Sequence, residues 1–488
     1  MHVIATHSRN AQAAGGVRLR APRLAARRTP RRTALTIALA LLSLLLLAAE
    51  AQAYVPGQLI FAKRIGSSTS EAGAWAMAAG PNGATAIAGW KMVPQAGPPP
   101  MVQVPMVARY SAGGSRWLMT YTAPGYAQDV AIDRSGNVYV AATINPSSGG
   151  DIVVLKYNAA GVFKWATTPY DGGVDSAREI AVDGAGNVVV AGSSNPGAKM
   201  GIVVLKYAAA NGTMMWAGPG GFFPSLSDPD SGNCYLNDLA LGATGDIYVA
   251  GSSEHRVGGV WIESALVVKL AASDGVRTAG FVYEPLHNVS SWFDGLTVRG
   301  STVIGVGETV ATTAAKPEDA LVVRLSLSLA QKYRKEWGAG NKTGEWFGDA
   351  VIDGKGNVYV TGDQWLNRPG GYDKAVTMKL NPKLSKVLWK ATYLPSTRGA
   401  EGWYIARDSL GNIFVSGAKD NSRGDEDILT IKYSPTGARK WLKTWSGGGP
   451  DDDEPNGMVL GTKGGVYVGG QVTGKGDISQ AVLLKYQR

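Results

Sequence analysis

One cysteine, Cys234, and four histidines are all that 488 residues supply of the commonest soft and borderline metal ligands. A lone cysteine excludes a disulfide scaffold and any cysteine-rich zinc or iron–sulfur centre. Cys234 therefore reads as a small buried hydrophobe. Only His255 and His287 follow residue 53, so a histidine-based zinc site is short of ligands. No G-x-S-x-G elbow, phosphate-binding P-loop, H-E-x-x-H or C-x-x-C-H occurs, which leaves the familiar nucleophile-elbow, nucleotide, zinc-protease and haem chemistries without their residues. A sustained helical period is also missing after residue 54. The 65 glycines follow no G-X-Y period, which excludes collagen. Hydrophobic residues make up 45%, enough for a core and too many for a disordered chain.

Basic charge is abundant overall, at +10, but it is localised. Residues 1–53 hold eight arginines against one acid, Glu50, leaving 40 bases and 37 acids on the rest. The excess there is only +3, too small for a nucleic-acid footprint. The arginines precede an uncharged, mostly apolar run, Ala34 to Ala49, and then Ala51-Gln52-Ala53. A basic segment, a short apolar segment and an A-x-A site predict a secretory signal peptide over residues 1–53. The alternative is an uncleaved anchor, for which the apolar run is short. Arg31-Arg32 alone does not decide the export route. The expected location is periplasmic or extracellular, with no stable membrane insertion after cleavage.

What is present in quantity is repetition. The phrase GNVYVAA at 136–142 returns as GNVVVAG at 186–192, GDIYVAG at 245–251, GNVYVTG at 356–362, GNIFVSG at 411–417 and GGVYVGG at 464–470. Weaker copies stand at 83–89 and 301–307. Anchored on Ala86, Tyr139, Val189, Tyr248, Ile304, Tyr359, Phe414 and Tyr467, the steps run from 50 to 59 residues, a blade-sized period. Each unit carries a second apolar run ending in Lys or Arg before Tyr or Leu, as in Lys156-Tyr157. A tryptophan usually follows after a turn: Trp117, Trp165, Trp216, Trp337, Trp389 and Trp441. Turn residues such as Asp133, Gly136 and Asn137 separate the runs.

Four strands per unit predict an all-β propeller, eight-bladed, with seven blades and one divergent unit as the fallback. The units are roughly 70–122, 123–171, 172–222, 223–285, 286–340, 341–394, 395–447 and 448–488. The last stops at Lys485-Tyr486-Gln487-Arg488 and lacks a fourth strand, while residues 58–65 look like a fourth strand ahead of any first one. Residues 57–66 are therefore expected to complete the last blade and close the ring. Residues 54–488 form one domain and are expected to be monomeric.

The phrase D-x-x-G-N-V-Y-V-x-G, then D-x-x-V-x-K-Y, then G-x-x-x-W resembles the SBBP-type β-propeller repeat of secreted bacterial proteins. Asp353–Gly362 with Asp373–Trp389, and Asp408–Gly417 with Asp427–Trp441, match it best. The resemblance spans residues 58–488 and implies a propeller in an exported protein. A weaker similarity to quinoprotein propellers carries no site residues, and one cysteine excludes their adjacent cysteine pair.

Ten residues before the anchors stand Asp129, Glu179, Asp238, Asp294 and Asp349. A propeller's first strand is innermost, so this column is expected at the channel mouth. Five carboxylates there repel one another unless backbone N–H groups, bases or a cation neutralise them. Two readings follow: backbone capping between blades, or a site for Ca²⁺ or a cationic ligand. Aromatics share the region: Trp75, Tyr126, Tyr235, Trp292, Phe293, Trp346, Phe347, Trp403 and Tyr404. Rings beside carboxylates equip a carbohydrate- or cation-binding face, and blade packing is the competing explanation. Asp451, Asp452, Asp453 and Glu454, and Asp228 with Asp230, are candidate Ca²⁺ ligands or simply solvated turns. The leading expectation is a binding or scaffolding module for an extracellular, envelope or carbohydrate ligand. A carboxylate-dependent hydrolase or lyase acting on a polysaccharide is the alternative, and a purely structural surface protein the third.

Overall fold

Alternating apolar residues at strand spacing, broken by Asp, Gly and Asn, produce strands throughout. The computed structural model describes residues 55–170, 173–195, 197, 199–217, 232–257, 259–283, 289–311, 318–338, 343–366, 372–395 and 398–488. The signal-peptide reading, Asp228, Asp230 and His287 fall outside them. Within them, 32 strands form eight four-stranded antiparallel sheets. They are the blades of an eight-bladed β-propeller. Apart from the strands there are two single-turn helices, Pro81–Gly83 and Pro146–Ser148. No helix among the described residues is long and apolar enough to cross a membrane.

The ring closes as expected. Leu59–Ile65 pairs antiparallel with Ile478–Gln487, Ile65 opposite Ala481 and Ala62 opposite Leu484. This supplies the fourth strand of the eighth blade.

The core lies between blades. Tyr139, Ile152 and Val154 of the second blade pack on Ala177, Ile180 and Val190 of the third. Phe414 and Ile428 of the seventh meet Val466 and Leu484 of the eighth. The recurring polar residues hold the outer part of each blade-to-blade seam. Lys156 Nζ and Trp165 Nε1 both donate to the carbonyl oxygen of Ala209 in the following blade, at 2.6 and 3.3 Å. Lys206 with Trp216 repeats this at Ala272, and Arg109 with Trp117 at Ala159. The lysine also pairs within its own blade, as in Lys206–Asp183 at 2.9 Å. Gly161 sits on Trp117 at φ +85°, where a Cβ would lie 2.8 Å from the indole. The third-strand base and fourth-strand tryptophan are thus structural, as their repetition suggested.

Candidate functional site

A β-bulge near the start of the first strand positions the site. In the second blade Ala127 pairs with Ala142 and Asp129 with Ala141, which leaves Gln128 as the extra residue. The same shift singles out Trp75, Arg178, Asn237, Asp294, Gly348 and Asn456. In the seventh blade Trp403 takes this place, immediately before Tyr404, which pairs with Ser416. All eight residues line one cavity of about 860 Å³. This column escapes sequence reading as a column because no one residue type prevails in it.

The column next to it holds the carboxylates sought from sequence. Asp129, Asp238 and Asp349 occupy matching positions on alternate blades and make matching bonds. Oδ1 of Asp129 accepts from Val130 N–H, at 2.7 Å, and Oδ2 from Ile180 N–H of the next blade, at 2.9 Å. Asp238 does the same with Leu239 and Leu296, and Asp349 with Ala350 and Ile405. Each is a staple between neighbouring blades, and each lines the cavity.

Glu179 lines it too, hydrogen-bonded to Asp129. Burial, then the neighbouring Asp129 and Asp238 charges, push the Glu179 carboxyl far up. Asp294 departs from the expectation. Gly295, not Asp294, pairs with Val306 at the column position. The tight turn from Arg299 to Thr302 moves the register by one residue, so Asp294 becomes the bulge residue. It reaches the cavity there, and Trp346 Nε1 of the sixth blade donates to its Oδ2 at 2.7 Å.

Burial raises the acids of this cavity generally. Asp349 is pushed up to about 7 and Asp294 to about 6, the latter despite its Trp346 bond and the nearby Arg178. Asp238 moves in the same direction. Sequence reading missed Glu308, Glu318, Asp363, Glu401, Trp365 and Arg178, all in the lining. Arg178 is the bulge residue of the third blade, and the others lie at ends of second strands and in connections, outside the recurring phrases. Burial and the neighbouring Glu318 push Glu308 up to about 9, and burial with the Glu401 charge takes Asp363 to about 8. In all, nine carboxyl groups line the cavity and Arg178 is its one base.

Among the expected aromatics, Trp75, Trp346, Trp403 and Tyr404 line the cavity. Trp292 does not, although it was expected there. Phe293 and Phe347 face the core, 0% and 1% exposed, because the pleat turns them away from the lumen. Tyr126 packs edge-on against Trp75, and Tyr235 donates to Glu254. His255 lies on a distant strand opposite Ile262.

In the acidic run, Asp453 turns inward and its carboxylate accepts from Gly447 and Thr473 N–H groups. Asp452 caps Glu426 N–H, and Glu454 pairs with Gln471 in the eighth blade. Asp451 is drawn toward Asp477, whose hydrogen bond and charge push its carboxyl up. Among the described residues no group of three or more His, Cys, Asp or Glu is arranged to hold a metal ion. Cys234 is buried, and burial raises its thiol to about 12, which keeps it unreactive.

No protein-family model matches the chain, and no curated protein matches it by sequence. Solved structures do resemble it. Sqt1 from Chaetomium thermophilum superposes with a TM-score of 0.51 at 8% identity, covering 87% of this chain and 100% of that one. The polysaccharide lyase Uly1 gives 0.46 at 9% identity over 78% and 92%. The GH93 α-L-arabinofuranosidase of Fusarium graminearum gives 0.37 at 10% over 62% and 91%. At such identities the likeness bears on the fold alone, and the two enzymes' scores carry no argument about activity.

Proposed function

We propose that this chain is an exported bacterial propeller of the SBBP-repeat type that binds an extracellular or cell-envelope ligand in the mouth of its channel. The carrying observation is the ring of eight bulge residues around a cavity of about 860 Å³, a size suited to a small ligand or the end of a polymer. Side chains that recur in every blade serve the fold. The bulge ring recurs in place but not in chemistry, which is the pattern expected of a site built once on a repeated frame. The basic, apolar and A-x-A segments at residues 1–53 support export.

The test is binding of the full chain to a glycan array and to envelope fractions, with and without Ca²⁺, beside the Trp403→Ala variant. Saturable binding lost in the variant is expected. Binding that Trp403→Ala leaves untouched would move the site elsewhere.

A hydrolase acting on a neutral polysaccharide is the second reading. It is favoured by Asp294, a bulge carboxyl in the cavity lining that burial pushes up to about 6, which suits proton transfer. A lyase acting on an anionic polymer fits less well, because nine acids face one arginine. Release of reducing ends from a bound glycan would favour the hydrolase over the module.

A further inference from the structure

We propose that the ligand is an organic cation carrying two or more ammonium groups, seated against the wall that blades five to seven build. This rests on the reading of the cavity as a ligand site and names what the site selects.

The wall combines three carboxyl groups and three indoles. Most of the other cavity acids have partners that explain them: backbone N–H groups for the staples, Trp346 for Asp294 and Trp403 Nε1 for Glu401, at 2.8 Å, while Glu179 shares a hydrogen bond with Asp129 and feels the neighbouring Arg178 charge. Glu308, Glu318 and Asp363 are different. No salt bridge reaches any of them among the described residues. Among the described residues Glu308 and Glu318 share a hydrogen bond with each other, and Glu308 Oε2 has no hydrogen-bond donor. An unpartnered carboxyl oxygen in a cavity wall is costly, and a cationic donor relieves it.

Trp346, Trp365 and Trp403 supply faces for cation–π contact beside these acids. The first and last are pinned through their Nε1–H groups. In an empty cavity, burial keeps Glu308 and Asp363 protonated near neutral pH, and an arriving ammonium takes the place of those protons. One ammonium would leave at least two of the three acids unmatched, so the ligand carries several. Linear polyamines and de-acetylated amino-sugar chains share this chemistry.

Calorimetric titration of the full chain near pH 8 with spermine, a glucosamine tetramer and the N-acetylglucosamine tetramer tests it. Spermine or the glucosamine tetramer is expected to bind one to one at or below about 100 μM, with the acetylated tetramer at least about tenfold weaker. Preference between the two cationic probes identifies the source. Glu308→Gln combined with Asp363→Asn should weaken binding about tenfold or more, and Arg178→Gln should tighten it about threefold. Misfolding cannot produce opposite signs, and thermal melts check that each variant folds. Equal affinity for the acetylated and free tetramers overturns the proposal while leaving a carbohydrate site in place. Binding of the cations that none of these substitutions changes also overturns it, as would no binding by either cation.

Discussion

The staple at Asp349 gives a stability prediction whose sign changes with pH. Its carboxyl joins Ala350 N–H to Ile405 N–H across the seam between the sixth and seventh blades. Both donor residues are buried, 3% and 5% exposed, so the N–H groups have little recourse to water. In Asp349→Asn one oxygen still accepts, but the amide nitrogen opposes the second N–H. That loss costs about 1–3 kcal/mol at any pH. The wild-type carboxyl carries a separate penalty, because burial raises its pKa from 3.8 to about 7. A raised folded-state pKa means the stability contribution is complete below about pH 4 and is withdrawn as pH rises toward 7. Between about pH 5 and about pH 8 the wild type therefore loses about 2–3 kcal/mol that the asparagine variant does not, at about 1.4 kcal/mol per pH unit. The variant should be clearly less stable than wild type near pH 5, and equal or better near pH 8. Urea titrations followed by tryptophan fluorescence at four pH values would measure the difference. A gap that stays constant, or widens with rising pH, would refute a buried carboxyl with a raised pKa.

Other positions give simpler expectations. Lys206→Met leaves Asp183 buried without its cation and should cost about 3 kcal/mol in urea unfolding near pH 7, whereas Trp165→Phe, which loses the bond to Ala209 and part of the ring packed on Gly212, should cost about 2 kcal/mol. Gly161→Ala meets both a φ of +85° and the Trp117 ring, and a loss of about 2 kcal/mol in the same assay is expected. Deleting residues 59–65 strips a seven-residue strand from Ile478–Gln487 and exposes that edge; unfolding should drop by about 5 kcal/mol from ladder bonds and Ile65 burial, with aggregation seen by light scattering.

The repeat made the architecture readable, because each blade needs the same turn, the same third-strand base and the same tryptophan. Ring closure was readable for a related reason: one unit lacked a strand that another segment supplied. Site geometry was readable only where the turn between first and second strands has constant length. Asp129, Asp238 and Asp349 precede five-residue connections, so counting back from the anchor lands on matching positions. The fifth blade replaces that connection with a two-residue turn at Gly300-Ser301, and counting misses by one. Phe293 and Phe347 face the core because proximity in sequence to the mouth does not decide which side of a pleated strand a ring takes, whereas Trp292 holds the same register position as Trp346 without lining the cavity. Glu308, Glu318 and Asp363 gave no periodic signal, since they sit where the blades differ.

The two neighbouring columns of the first strand separate structure from selectivity. One residue position carries aspartate on the second, fourth and sixth blades, and at each occurrence one oxygen accepts from the following residue's N–H and the other from an N–H of the next blade. Those acids already serve the blade seams, so their presence at the mouth alone is weak support for a cation site. The bulge position beside them carries indole, amide, guanidinium, carboxylate or no side chain at all, and it is the extra residue that the bulge leaves out of the pairing. Two of its side chains, Asn237 and Asn456, donate to Phe293 and Ala74 carbonyl oxygens of the next blade, but substitution there touches none of the three aspartate staples, so the position can vary around the ring. Selectivity is then set by what the varied positions and the unpaired acids of blades five to seven do together. Trp346 ties them, since its ring lines the cavity while its N–H holds the one bulge carboxylate, Asp294, in place. Loss of that bond in Trp346→Phe should therefore alter ligand affinity more than stability, the reverse of what Trp165→Phe should do.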